Sequence, residues 1–107
     1  MLVEVAATDE IPEGEARRFV VNRIEIAIAN LGDGRFFAID DICSHAESHL
    51  SEGEIDEEDE TIECPRHGSM FDLRTGKPRS LPATVPVATW PVKVEGEKIL
   101  IELEDRP

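Results

Sequence analysis

Scarcity narrows this chain before any motif does. Two cysteines and three histidines are all that its 107 residues contain. Basic residues are few as well: 11 Lys and Arg stand against 24 Asp and Glu, a formal net charge of −13. A surface that acidic repels phosphate, which argues against nucleic acid and anionic membrane as partners. No apolar run approaches the ~20 residues that a membrane-crossing helix requires. The N-terminus, Met1-Leu2-Val3-Glu4-Val5, lacks the basic region and apolar stretch of a secretion signal. The expectation is a soluble, cytoplasmic protein. Aromatics are few, one Trp and four Phe, and the length suits one domain with a modest core and no second catalytic unit.

The scarce residues are not scattered. Cys43-Ser44-His45 and Cys64-Pro65-Arg66-His67-Gly68 take both cysteines and two of the three histidines, in the pattern C-x-H-x18-C-x2-H. Each motif offers one soft thiolate and one imidazole. Two thiolates and two imidazoles make a tetrahedral zinc set. They also make the ligand set of a [2Fe–2S] centre in which two histidines replace two cysteines on one iron. A Cys43–Cys64 disulfide would leave both histidines without a role and would need an oxidising compartment. Ligand type and spacing leave zinc and iron–sulfur both open.

The residues around the ligands resemble one family. Cys64-Pro65-Arg66-His67-Gly68-Ser69-Met70-Phe71-Asp72 is similar to the second cluster loop of Rieske proteins, and Cys43-Ser44-His45, after Asp40-Asp41, is similar to the first. Asp72-Leu73-Arg74-Thr75-Gly76-Lys77-Pro78 and Leu81-Pro82-Ala83 resemble the continuation in Rieske-type ferredoxins of bacterial aromatic-ring dioxygenase systems. The resemblance implies one Rieske [2Fe-2S] cluster per chain, held by Cys43, His45, Cys64 and His67. It places the cysteines on an inner iron and the histidines on an outer, solvent-facing one, with Pro82 in a loop covering the cluster. No ligand position is left for substrate, so the implied role is one-electron transfer and not catalysis.

Two ferric ions, two sulfides, two thiolates and two neutral imidazoles sum to zero charge. An all-cysteine cluster carries two more negative charges, so histidine ligation raises the potential into a range of roughly −150 to +300 mV. Respiratory-chain relatives add a cysteine pair and a tyrosine that bonds a sulfur. This chain has Arg66 at one such cysteine position and Phe71 at the tyrosine position. Lost hydrogen bonds to sulfur lower the potential, so the expectation is the low end of that range.

The periodicity is that of strands. Arg18–Val21, Glu25–Ala29 and Arg35–Ile39 are short and β-branched or aromatic, with a hairpin loop at 30–34 between the last two. Pro91–Val94 and Ile99–Leu103 flank Glu95-Gly96-Glu97-Lys98 as a second hairpin. Helix is expected as one turn at most, around Ala46–Leu50. Phe19, Phe36 and Phe37 are expected in the core. The fold class is all-β: a small antiparallel β sandwich or barrel, with residues 1–40 and 83–107 as its base. The resemblance, and not the periodicity, makes residues 41–82 an inserted cluster-binding lobe within a single Rieske domain, 1–107.

Much of the acid lies in Glu52–Glu60, which reads as a solvated loop, or else as a docking surface for a basic partner. Arg66, Arg74, Lys77 and Arg79 gather after the second motif. His49 reads as a surface loop residue. The partners implied by the resemblance are an NAD(P)H-dependent flavoprotein reductase and a terminal non-haem iron oxygenase, met transiently by a monomer. The rival readings are the small subunit of an assimilatory nitrite reductase, a general ferredoxin serving another redox system, and a zinc-stabilised interaction module.

Overall fold

The computed structural model describes residues 1–44, 48–66, 68–81 and 83–103. Among them are ten strands and two one-turn 3-10 helices, Thr8–Glu10 and Leu50–Glu52. No described helix is long and apolar enough to cross a membrane. The strands form three antiparallel sheets. One joins β1 (Leu2–Ala7), β10 (Lys98–Glu102) and β9 (Val92–Glu95) in that order. A second runs β2 (Ala16–Val21), β3 (Ile24–Asn30), β4 (Phe36–Asp40) and β8 (Thr89–Trp90). A third, β5 (Ile55–Asp56), β6 (Thr61–Glu63) and β7 (Met70–Asp72), falls between β4 and β8 in the chain.

The two expected hairpins form, β3–β4 and β9–β10, and β2–β3 makes a third, each for a local reason. Asn22 and Arg23 both take positive φ, 48° and 69°. That is the backbone of a two-residue hairpin turn whose twist matches its strands. Asn30 ends β3, and its side chain donates to the Ile11 carbonyl and accepts from Gly32 N–H. The β9–β10 turn is Gly96-Glu97, with Lys98 opposite Glu95.

The second sheet is a wall between two cores. Side chains alternate along a strand, so Ile26 and Ile28 of β3 face one way and Ala27 and Ala29 the other. The isoleucines join Ala6, Ile11, Trp90, Ile99 and Ile101 in a core shared with the β1-β10-β9 sheet. The alanines join Ile39, Leu50, Ile62, Phe71, Leu73 and both cysteines in a second core beneath the third sheet. Alanine on that face lets the ligand-bearing loops approach the wall closely. β4 repeats the division, with Ala38 in the first core and Ile39 in the second.

β1 and the β5-β6-β7 sheet inside the turn-rich middle lie outside the strands that periodicity predicts. The aromatic residues in the core are Phe71 and Trp90, 0% and 5% exposed. Phe19, Phe36 and Phe37 are half-buried and pack at the margins of the two cores. One helical turn, Leu50–Glu52, begins at the last residue of the expected stretch, and the other, Thr8–Glu10, was not expected; residues 45–47 are outside the described residues.

One arginine ties the two ends of the third sheet together and rests them on the wall. Arg74 donates to both carboxylate oxygens of Glu60 at 2.7 and 2.9 Å, and its guanidinium lies 5.2 Å from the Phe37 ring centre. The bonds from Arg74 hold the Glu60 carboxyl below its ordinary range. A depressed carboxyl stabilises the fold above its unfolded value and loses that contribution as pH falls through its folded value. Thermal melts from pH 3 to 7 should therefore show wild type losing stability below the ordinary glutamate value of about 4.3, and Glu60→Gln losing less over that window. Parallel melting curves for the two proteins would remove the clamp from the stability account.

Candidate metal centre

Two loops carry the cysteines, and both are closed in the same way. Cys43 N–H donates to the Ser48 carbonyl at 2.9 Å, and Cys64 N–H to the Ser69 carbonyl at 2.7 Å. In each case the cysteine reaches the residue five positions on. Gly68 N–H returns to the Cys64 carbonyl at 2.9 Å, with Gly68 at φ +75°. Cys43 follows the end of β4 and Cys64 follows β6, so the wall and the third sheet each deliver one thiol. Both are buried, Cys43 at 4% and Cys64 at 0% exposure, and both belong to the same apolar core. His45 and His67 lie outside the described residues.

A third segment straps across both loops. Ser69 Oγ accepts from Ala83 N–H at 3.0 Å, Ser80 Oγ accepts from Met70 N–H at 2.9 Å, and Ser44 Oγ donates to the Val85 carbonyl at 2.5 Å. Pro82, expected in a covering loop, is outside the described residues; its neighbours Leu81 and Ala83 belong to this strap. Ala83 and Val87 point inward, while Leu81 and Val85 are 78% and 57% exposed. Exposed apolar residues grouped beside a buried site suit a contact surface.

His49, read from the sequence as a surface loop residue, keeps a side chain 39% exposed but has a buried partner. Its Nδ1 lies 2.6 Å from Oδ2 of Asp41, a carboxylate with no exposure. Glu25, Asp41 and His49 bring three potential ligand atoms within 4.8 Å of one another. Arg18 already supplies the cation there, with Nε 2.8 Å from Glu25 Oε1 and 3.5 Å from Asp41 Oδ2. The cue missed in the sequence was Asp41: a buried carboxylate requires partners.

The acidic and basic runs, far apart in the chain, meet in space. Glu60 pairs with Arg74 and lies 3.5 Å from Arg35, and Asp72 lies 3.6 Å from Arg79. Asp56 accepts the amides of Glu58 and Asp59, which makes the run an ordered turn. Glu57 lies against Glu13; the hydrogen bond between them, then burial and the charge of Glu13, push its carboxyl up. Arg66, Lys77 and Arg79 are exposed.

Two buried thiols on closed loops, in one apolar core, suit a soft metal centre. An iron–sulfur cluster and zinc both fit the donors described. Comparison with known proteins separates them. The Rieske [2Fe-2S] domain matches residues 1–91. The 3-phenylpropionate/cinnamic acid dioxygenase ferredoxin subunit of Escherichia coli (strain K12) is 49% identical over 96 residues, 90% of this chain and 88% of that one. The solved ferredoxin of carbazole 1,9a-dioxygenase from Nocardioides aromaticivorans IC177 superposes with TM-score 0.91 at 38% identity, covering 97% of this chain and 99% of that one. The complex of reduced oxygenase and oxidized ferredoxin in carbazole 1,9a-dioxygenase contains a chain similar at 36% identity and TM-score 0.83, over 94% of this chain and 100% of that one.

Proposed function

The chain belongs to the Rieske [2Fe-2S] domain family, and from that premise we propose that Cys43, His45, Cys64 and His67 hold its one cluster. The burial of both cysteines supports their assignment to the inner iron, with the histidines of the same loops on the outer one. When bound, the cluster accepts and releases a single electron. The chain's own residues exclude water from the thiolates, fix both loops by the cysteine N–H bonds, and strap them through Ser44, Ser69 and Ser80.

The protein is a ferredoxin component, an electron carrier and not an enzyme. We read it as a monomeric cytoplasmic carrier that takes electrons from an NAD(P)H-dependent flavoprotein reductase. It delivers them to a terminal non-haem iron, ring-hydroxylating oxygenase. The single observation that carries this reading is the 49% identity over 90% of the chain to a dioxygenase ferredoxin subunit. It outweighs the nitrite reductase and zinc-module alternatives. Phe71, fully buried in the thiol-bearing core, brings a ring without a donor, which supports a potential near the low end of the family range.

Reconstitution tests the function. Protein reduced by NAD(P)H and a flavoprotein reductase should pass its electrons to a ring-hydroxylating oxygenase, with product formed only when all three are present. With a formal charge of −13, encounter should slow as ionic strength rises, because charges are screened over about 8 Å at physiological salt. Neutralising Glu54, Asp56, Glu57 and Glu58 should slow the low-salt rate. Glu60 is left intact in that variant, because it serves the Arg74 clamp. Rates indifferent to both salt and these substitutions would remove electrostatic steering and return the acidic run to a solvated turn.

A further inference from the structure

We propose that Asp41 and His49 form a latch that closes the first ligand loop and sets the reduction potential of the cluster. The inference rests on the cluster assignment above. Asp41 binds the far end of that loop at three points. Its carbonyl accepts Leu50 N–H at 2.6 Å, its Oδ1 accepts Ser51 N–H at 2.9 Å, and its Oδ2 lies 2.6 Å from His49 Nδ1. Asp41 N–H is anchored in turn on the Glu25 carbonyl of β3 at 3.0 Å. Ile42 and His49 also form an isolated antiparallel bridge. Residues 49–51 are thereby pinned to the wall two positions before Cys43.

The latch also fixes a charge. Asp41 is fully buried, so its carboxylate acts through protein and not through water, where charge interactions are far stronger. An electron added to a cluster on Cys43 would bring negative charge to a loop that carries a buried carboxylate two residues before that ligand. The hydrogen bond from His49 Nδ1 to Oδ2, and Arg18 at 3.5 Å, offset that group. Removing the donor lowers the potential; removing the carboxylate charge raises it. His49 and Asp41 touch neither iron nor sulfide in this scheme and act as positioning residues.

Three variants of the holoprotein test the proposal: His49→Ala, His49→Asn and Asp41→Asn. Asparagine places an N–H donor where Nδ1 stands, and Asp41→Asn keeps an acceptor for Ser51. Spectroelectrochemical titration and iron release to a chelator are the readouts. His49→Ala should shift the redox equilibrium downward about threefold to tenfold, up to about 59 mV for a one-electron couple, and should speed iron release severalfold. His49→Asn should restore both. Asp41→Asn should speed iron release but shift the potential upward. An unchanged potential in His49→Ala, or shifts of the same sign in His49→Ala and Asp41→Asn, would overturn the latch. Wild-type protein without iron and sulfide would instead overturn the cluster assignment.

Discussion

Cys64→Ala protein is expected to purify colourless, with iron and acid-labile sulfide falling from two of each per chain to none. Wild type should be red-brown. The reason is chemical first: a cluster with one thiolate fewer has an iron without its ligand, and the methyl group of alanine supplies nothing. It is also structural. Cys64 is fully buried in the core with Leu50, Ile62, Phe71 and Leu73, so the lost metal leaves a gap in packed apolar surroundings. Because metal binding is coupled to folding, the third sheet should loosen while the β1-β10-β9 sheet and the wall persist. Cys43→Ala should behave alike. Amide exchange would show fast exchange at Cys64 and Gly68, whose bonds close the second loop, and slow exchange at Ile26 and Ile28. One zinc and no sulfide in natively prepared wild type would defeat the assignment outright.

Gly53→Ala should be among the most destabilising single substitutions available outside the ligands. Gly53 has an ordinary extended backbone, φ −86° and ψ 173°, so conformational freedom is not the issue. Space is: a Cβ there would stand 1.7 Å from the Glu63 carbonyl oxygen. That oxygen belongs to backbone, and a carbon can approach it only to about 3 Å, so two chain segments must part by more than an ångström. Overpacking of a core typically costs about 1–3 kcal/mol, and a backbone obstruction this close belongs at or beyond the upper end. At about 4–8 °C per kcal/mol for a small domain, the melting temperature should fall by about 12 °C or more. Glu63 directly precedes Cys64, so the displacement also enters the second ligand loop and should speed cluster loss. Gly96→Ala is the comparison. Its φ is +60° but nothing lies within 4 Å of the added carbon, so only the left-handed backbone is penalised, by roughly 1–2 kcal/mol. If Gly53→Ala melts no lower than Gly96→Ala, the close approach to Glu63 is not what the fold depends on.

The clamp and the latch show why stability and function are joined here. Glu60 and Arg74 hold the third sheet against Phe37 of the wall, while Asp41 and His49 hold the first ligand loop against β3. Both work at the boundary between the β framework and the thiol-bearing core. A change at either place is felt by the loops that carry Cys43 and Cys64.

The amino-acid sequence by itself determined the chemistry and the local hairpins. Ligand preference is a property of residue type, so two cysteines and two histidines at C-x-H-x18-C-x2-H declare a soft metal centre before any folding is considered. The β3–β4 and β9–β10 hairpins were legible because strand partners lie a few residues apart. Even the two-sided wall left a trace, in the unbroken apolar run Ile26-Ala27-Ile28-Ala29. Tertiary structure alone decided the rest. β1 is a strand because β10, almost the whole chain away, pairs with it from Leu2↔Glu102 to Ala7↔Lys98. β5 and β6 are two and three residues long, too short for a period to register among acidic neighbours. His49 became a latch only because Asp41, eight residues earlier, was carried to zero exposure by the wall. A carboxylate in water needs no histidine, whereas one buried in the fold does, and burial is set by the packing of distant segments.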